Sequence, residues 1–176
     1  QSLKELKFKK GIDVYLSTEV HPNSGLGASS SLTTNIVKVI TTLQQKKQTP
    51  DQIATKAYRI GHDVLKWGVV KQDEFAAAYG GLNLYKFTKN KVIVKKINLT
   101  KNSKKELYEN SLLFYLGNRK HSEGILKKQI NSINKSEKTT LDALHKAKEI
   151  TLKMYDALNK NDLTNFSEML NEGWET

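Results

Sequence analysis

Two short stretches hold side chains able to do chemistry: Gly25-Leu26-Gly27-Ala28-Ser29-Ser30-Ser31 and Lys71-Gln72-Asp73-Glu74. Gly25 and Gly27 lack a Cβ, so the backbone can turn sharply there and lie close to another molecule. The three serines suit a helix start, where the first backbone N–H groups have no internal partner. Free N–H groups, the positive end of the helix dipole and hydroxyls together make an anion site, and its natural guest is a nucleotide polyphosphate. Phosphoryl transfer asks a protein for such a cradle, a magnesium site and a carboxylate near the attacking hydroxyl. Ser29 is placed to offer a hydroxyl to a metal or a phosphate. Asp73 is the best carboxylate candidate, because it reads as sitting in a loop flanked by Gly and Ala rather than on a charged helix face; on chemistry alone a helix N-cap is an equal reading. Lys71 could keep Asp73 ionised or touch a phosphate, although a plain surface charge is the preferred reading.

The elements that must position these groups read as strand, helix, helix, strand, strand. Ile12 to Glu19 alternates Ile12, Val14 and Leu16 against Asp13, Tyr15 and Ser17, which predicts a strand leading into the Gly loop. Leu32, Ile36, Val39 and Ile40 recur at helical spacing, so a helix runs to about Gln45 with that face buried. Thr49-Pro50-Asp51 starts a second helix with Pro in its first turn, and Ile53, Ala57, Ile60 and Val64 share a face. Lys66 to Val70 reads as a loop, and Lys71 to Gly81 as a short Ala-rich helical turn ending on two glycines. Leu82 to Phe87 and Val92 to Val94 read as a hairpin turning at Lys89-Asn90-Lys91. After a lysine-rich hinge near residues 98 to 106, the apolar run Ser111 to Leu116 predicts a buried strand, closed by Gly117-Asn118-Arg119-Lys120. Helices are expected over Ser122 to about Ser132, Ser136 to Asn159 and Asp162 to Asn171. The middle one carries Leu141, Leu144, Ala147, Ile150, Met154 and Leu158 as its core stripe; Met154 and Met169 fill gaps.

The 176 residues are enough for one generous domain or two small ones. The absence of cysteine excludes disulfides and thiolate metal sites, and His21, His62, His121 and His145 have no ligand spacing that would make a zinc site. No apolar run reaches transmembrane length and the charged opening is no signal peptide, so a soluble cytoplasmic protein without membrane contact is the expectation. A net charge of +11 suits either nucleic acid or phosphorylated substrates. Its densest part, Lys86 to Lys105, has eight lysines and no acid but lacks interleaved aromatics for base stacking, so a solvated surface is preferred.

The loop is not a Walker loop, since no Gly-Lys-Ser/Thr follows, nor a dinucleotide fingerprint, since the third glycine is missing. The run Pro22-x-x-Gly25-Leu26-Gly27-x-Ser29-Ser30 instead resembles the phosphate loop of the GHMP kinases, among them galactokinase, homoserine kinase and mevalonate kinase. Gln72-Asp73-Glu74-Phe75-Ala76-Ala77-Ala78-Tyr79-Gly80-Gly81-Leu82-Asn83 is similar to one branch of that family, the D-glycero-D-manno-heptose 7-phosphate kinases, which carry a Gln-Asp-Gln-type segment here. Leu113 to Gly117 and Glu172 to Glu175 fall where the branch has similar runs. The resemblance implies an α+β fold: a ribosomal S5 domain 2-like, ATP-binding part over residues 1–100, then the helix-rich start of a ferredoxin-like domain over 101–176. It implies transfer from ATP, with Mg2+, to the anomeric hydroxyl of heptose 7-phosphate, giving the 1,7-bisphosphate. By the same resemblance Asp73 is the catalytic residue, Gly25, Leu26, Gly27, Ala28, Ser29 and Ser30 bind the ATP phosphates, and Ser29 contacts magnesium.

Three departures accompany the resemblance. The family's magnesium-binding glutamate aligns with Gly61, and Asp63 is the only nearby carboxylate, so either Asp63 substitutes for it or metal binding is weakened. Ala28 stands where the family usually has the first serine of its pair. The family's N-terminal strands and C-terminal Gly-rich motif have no counterpart, so the chain resembles an internal piece of a kinase about twice as long. Arg119 and Lys120 are candidates to receive the sugar's 7-phosphate, since Arg forks suit phosphate. Other readings keep the fold but change the sugar to fucose or galactose, or replace catalysis by nucleotide or RNA binding.

Overall fold

A computed structural model describes residues 2–9, 11–20, 24–66, 70–115 and 123–175. The chain divides into two compact units, Gln1–Gly81 with Tyr115–Glu123 and Leu82–Phe114 with Gly124–Thr176.

The first unit is helical among its described residues. It contains α1 (Ser2–Glu5), α2 (Ala28–Leu43), α3 (Pro50–Arg59) and α4 (Lys71–Tyr79), and α3 runs on into a π-helical turn at Ile60–Val64. α3 begins where Thr49 and Gln52 make a reciprocal capping box, with Pro50 in the first turn. Leu6, Val37, Ile40, Ile53, Ala57 and Ile60 form its buried core, and α2, α3 and α4 pack against one another around it. The buried face of α2 is only partly the expected one: Ile40 is buried and Ile36 packs against the core. Leu32 and Val39 are exposed, whereas Ser30, Thr33, Thr34, Val37, Ile40 and Thr41 are buried. The segment expected as a strand, Ile12 to Glu19, is irregular, with Val14, Tyr15 and Leu16 exposed. An extended backbone becomes a strand only when a neighbour completes its hydrogen-bond ladder, and no described residue does so here.

In the second unit β1 (Asn83–Phe87) and β2 (Val92–Lys96) form an antiparallel hairpin, with Phe87 opposite Val92 and Asn83 opposite Lys96. The Thr88 hydroxyl closes the turn by donating to the Lys91 carbonyl at 2.7 Å. Four helices follow: α5 (Lys101–Glu109), α6 (Glu123–Asn134), α7 (Lys138–Asn159) and α8 (Leu163–Trp174). α5 occupies the stretch expected to be a lysine-rich hinge. Thr100 caps it by accepting from the Ser103 N–H, and Leu107 packs against the buried Ile97, Leu99 and Leu158. Ile150 and Leu158 of the α7 stripe are buried as expected, while Ala147 is exposed. Residues 111–115, expected as part of a buried strand over 111–116, are irregular and exposed. A two-stranded sheet with these helices is the α+β architecture the sequence implies.

Candidate functional site

The Gly loop turns through two left-handed residues, Gly25 at φ 80° and Gly27 at φ 69°. A Cβ on Gly27 would meet nothing within 4 Å, so the demand on that residue is conformational rather than spatial. α2 starts one residue later with no side-chain cap. Its first turn is therefore not capped by the serines, and Ser29 is exposed while Ser30 is buried. The N–H groups of Ala28, Ser29 and Ser30 precede the first intrahelical bond, from the Ser31 N–H to the Gly27 carbonyl at 2.9 Å. Ser24 Oγ, at the entrance, is enclosed and finds no partner among the described residues. An orphaned hydroxyl beside free N–H groups, on a 16-residue helix with no acid in its first turn, suits a polyphosphate.

α4 starts at Lys71 after Val70 as N-cap, so the capping alternative for Asp73 does not hold. Asp73 is the third residue of α4, exposed, in the turn where the helix dipole favours a negative charge. Glu74, one residue on, is only 1% exposed and is a residue to which the sequence drew no notice. The Ser30 hydroxyl donates to Glu74 Oε1 at 3.0 Å, while Oε2 is enclosed without a partner among the described residues. That bond ties the first turn of α2 to the first turn of α4. Burial, with the Asp73 charge beside it, raises the Glu74 carboxyl above its ordinary range despite the Ser30 bond. The residue's identity carried the missed signal: this acid stands where the similar branch has glutamine, directly before an apolar run.

The raised value has a testable sign. A carboxyl that holds its proton more tightly when folded stabilises the fold below the ordinary carboxylate range, and that stability fades as pH climbs through the folded value. Wild-type unfolding midpoints should therefore fall relative to those of Glu74→Gln as pH rises from about 4 to about 8. Parallel profiles would refute a buried, proton-holding Glu74.

At the start of α4 the Lys71 ammonium lies 5.2 Å from the centroid of the Tyr58 ring on α3, and no ion pair joins it to Asp73 among the described residues. Tyr58 stacks on His62 at 5.0 Å, and His62 Nδ1 lies 2.8 Å from Asp63 Oδ1. Burial, then the charges of Asp63 and Glu74, raise the Tyr58 phenol. The His62 hydrogen bond lowers the Asp63 carboxyl. Asp63 and the buried Gly61 both sit in the π-helical turn, a conformation frequent at functional sites. Among the described residues no three His, Asp or Glu side chains converge as metal ligands. The hydroxyl of Ser29 and the carboxylate of Asp63 are nevertheless hard oxygen donors of the kind magnesium takes, usually one or two from the protein with the rest from phosphate and water. Arg119 and Lys120 lie outside the described residues.

Residues 1–81 match the family described as GHMP kinases N terminal domain. The chain is 28% identical over 173 residues to a D-glycero-alpha-D-manno-heptose 7-phosphate kinase of Campylobacter jejuni, covering 96% of this chain and 50% of that protein. Among solved structures it superposes on a D-glycero-D-manno-heptose 1-phosphate kinase of Bacteroides thetaiotaomicron with a TM-score of 0.74 and 28% identity, over 90% of this chain and 45% of that one. The chain thus spans about half the length of the relatives it matches. A left-handed Gly loop opening α2, an acidic α4 start bonded to it and the α+β architecture accord with these similarities, which over residues 1–81 are to the GHMP kinase N-terminal domain.

Proposed function

We propose that this chain belongs to an ATP-dependent sugar kinase that phosphorylates the anomeric hydroxyl of D-glycero-D-manno-heptose 7-phosphate, giving the 1,7-bisphosphate. The observation that carries the reading is the Ser30–Glu74 bond, because it brings the start of a phosphate-binding helix beside the start of the helix bearing Asp73. In the proposed reaction Gly25, Leu26, Gly27, Ala28, Ser29 and Ser30 hold the phosphates through backbone N–H groups. Asp73 accepts the proton of the sugar hydroxyl as its oxygen bonds to the γ-phosphorus, and the bond to the β–γ bridging oxygen breaks to release ADP. Magnesium, when bound, neutralises charge on the phosphates; Ser29 and Asp63 are the residues that would hold it. Arg119 and Lys120 are proposed to receive the sugar's distal phosphate, and residues 1–100 to form the ATP-binding part, with residues 101–176 the start of the next domain.

The two similar kinases carry names that differ in the position of the phosphate on heptose, which makes the acceptor the point to test. ADP release from MgATP should depend on heptose 7-phosphate and stay at background with heptose 1-phosphate, fucose or galactose. Release that responds to fucose or galactose and not to heptose 7-phosphate would overturn the heptose assignment. No release with any acceptor from the whole gene product would overturn the kinase.

A further inference from the structure

The proposed transfer gives no chemical task to Glu74, yet this is the most deeply enclosed acid in the first unit. We propose that Glu74 is a positioning residue, holding the nucleotide cradle in register with the helix that presents Asp73. This role rests on the kinase reading above.

Its geometry is specific. Ser30 is the third residue of α2, so its N–H is among the donors free to meet a phosphate, while its side chain faces inward at 3% exposure. That side chain reaches Glu74 rather than a ligand, donating to Oε1 at 3.0 Å. Glu74 directly follows Asp73 along α4. The bond thus adds a directional tie between the two packed helix starts, adjacent to the cradle on one side and to the carboxylate on the other. Filling space alone does not account for an acid here. A Met or Leu would pack there without enclosing Oε2 unpartnered, which is an expensive arrangement for a carboxyl. The directional bond is what an apolar residue could not supply.

The test uses ADP affinity measured by calorimetry in the presence of magnesium, together with unfolding midpoints, for the wild type, Ser30→Ala, Glu74→Ala, Glu74→Gln and the Ser30→Ala/Glu74→Ala double variant. Each alanine variant should weaken ADP by about tenfold, and the double variant by no more than the worse single, since both remove the same bond. Glu74→Gln keeps a carbonyl acceptor for Ser30 and should bind within about threefold of wild type. A merely structural role predicts lowered midpoints with ADP affinity untouched, and that outcome overturns the proposal. Losses that add in the double variant overturn it too, as they would mean the two residues act separately. Should Glu74→Ala fail to fold, Ser30→Ala and Glu74→Gln decide alone: an unweakened Ser30→Ala or an unrescued Glu74→Gln overturns the role. A wild-type protein that binds no ADP would instead overturn the kinase reading, and this role with it.

Discussion

Asp73→Asn is expected to lower the turnover of sugar-dependent ADP release by about 10²- to 10⁴-fold, the span a positioned general base contributes. The exchange keeps size and hydrogen-bonding reach but removes the capacity to take a proton. Asp73 is exposed on the first turn of α4, so the variant disturbs no packing and its unfolding midpoint should stay near wild type. Nucleotide affinity should also change little, because the cradle lies on a different helix. The prediction is thus a loss in kcat at nearly constant KM for ATP, the pattern of an interaction made in the transition state. Turnover within threefold of wild type would remove Asp73 from the chemistry. A tenfold rise in KM with kcat intact would make it a binding group instead.

The second large effect is on stability. Phe75→Ala should cost about 3–5 kcal/mol, the usual loss for emptying a buried aromatic site. Phe75 is 2% exposed on α4, and its ring stacks on that of Tyr79 with centroids 6.1 Å apart. α4 has no side-chain N-cap and is only 9 residues long, so it is held mainly by packing against α2 and α3. Urea unfolding should show the shift in midpoint with little change in slope, and transfer should weaken at temperatures where the variant is still mostly folded, since Asp73 rides on the same helix. A loss below about 1 kcal/mol would mean that α4 is anchored by something other than its aromatic face.

How far the sequence was legible depends on whether a signal was local. The start of α3 was readable because Thr49, Pro50 and the spacing to Gln52 settle it within four residues. The hairpin was readable for the same reason, through short alternating runs around a polar turn. Ile12 to Glu19 was not, because alternation records which face would be buried and says nothing of whether a partner strand is at hand. The face of α2 was misassigned at Leu32 and Val39, though not at Ile36 and Ile40, because threonine counts as polar in a periodicity argument. Thr33 and Thr41 satisfy their hydroxyls on the carbonyls of Ser29 and Val37, at 3.0 and 2.8 Å, and so enter the core as readily as valine. α5 was hidden by its lysines, which suggested a solvated linker while Ser103 and Leu107 supplied a sufficient inner face. Of the site, the glycines and Asp73 stood out by type and spacing. Glu74 did not, since an acid is expected at the surface and only the packing of α2 on α4 encloses it.

The exposed run Ser111-Leu112-Leu113-Phe114-Tyr115 sets how the protein behaves as a colloid. Leu112, Leu113 and Phe114 are 81%, 82% and 73% exposed, and the run holds neither a charge nor a proline to interrupt pairing between molecules. What keeps such surfaces apart is the mutual repulsion of molecules each bearing a net charge of +11. Salt shortens the reach of that repulsion to about 10 Å at 0.1 M. Any clustering through this apolar strip is therefore expected to grow with ionic strength as well as with concentration, which light scattering across a salt series would measure.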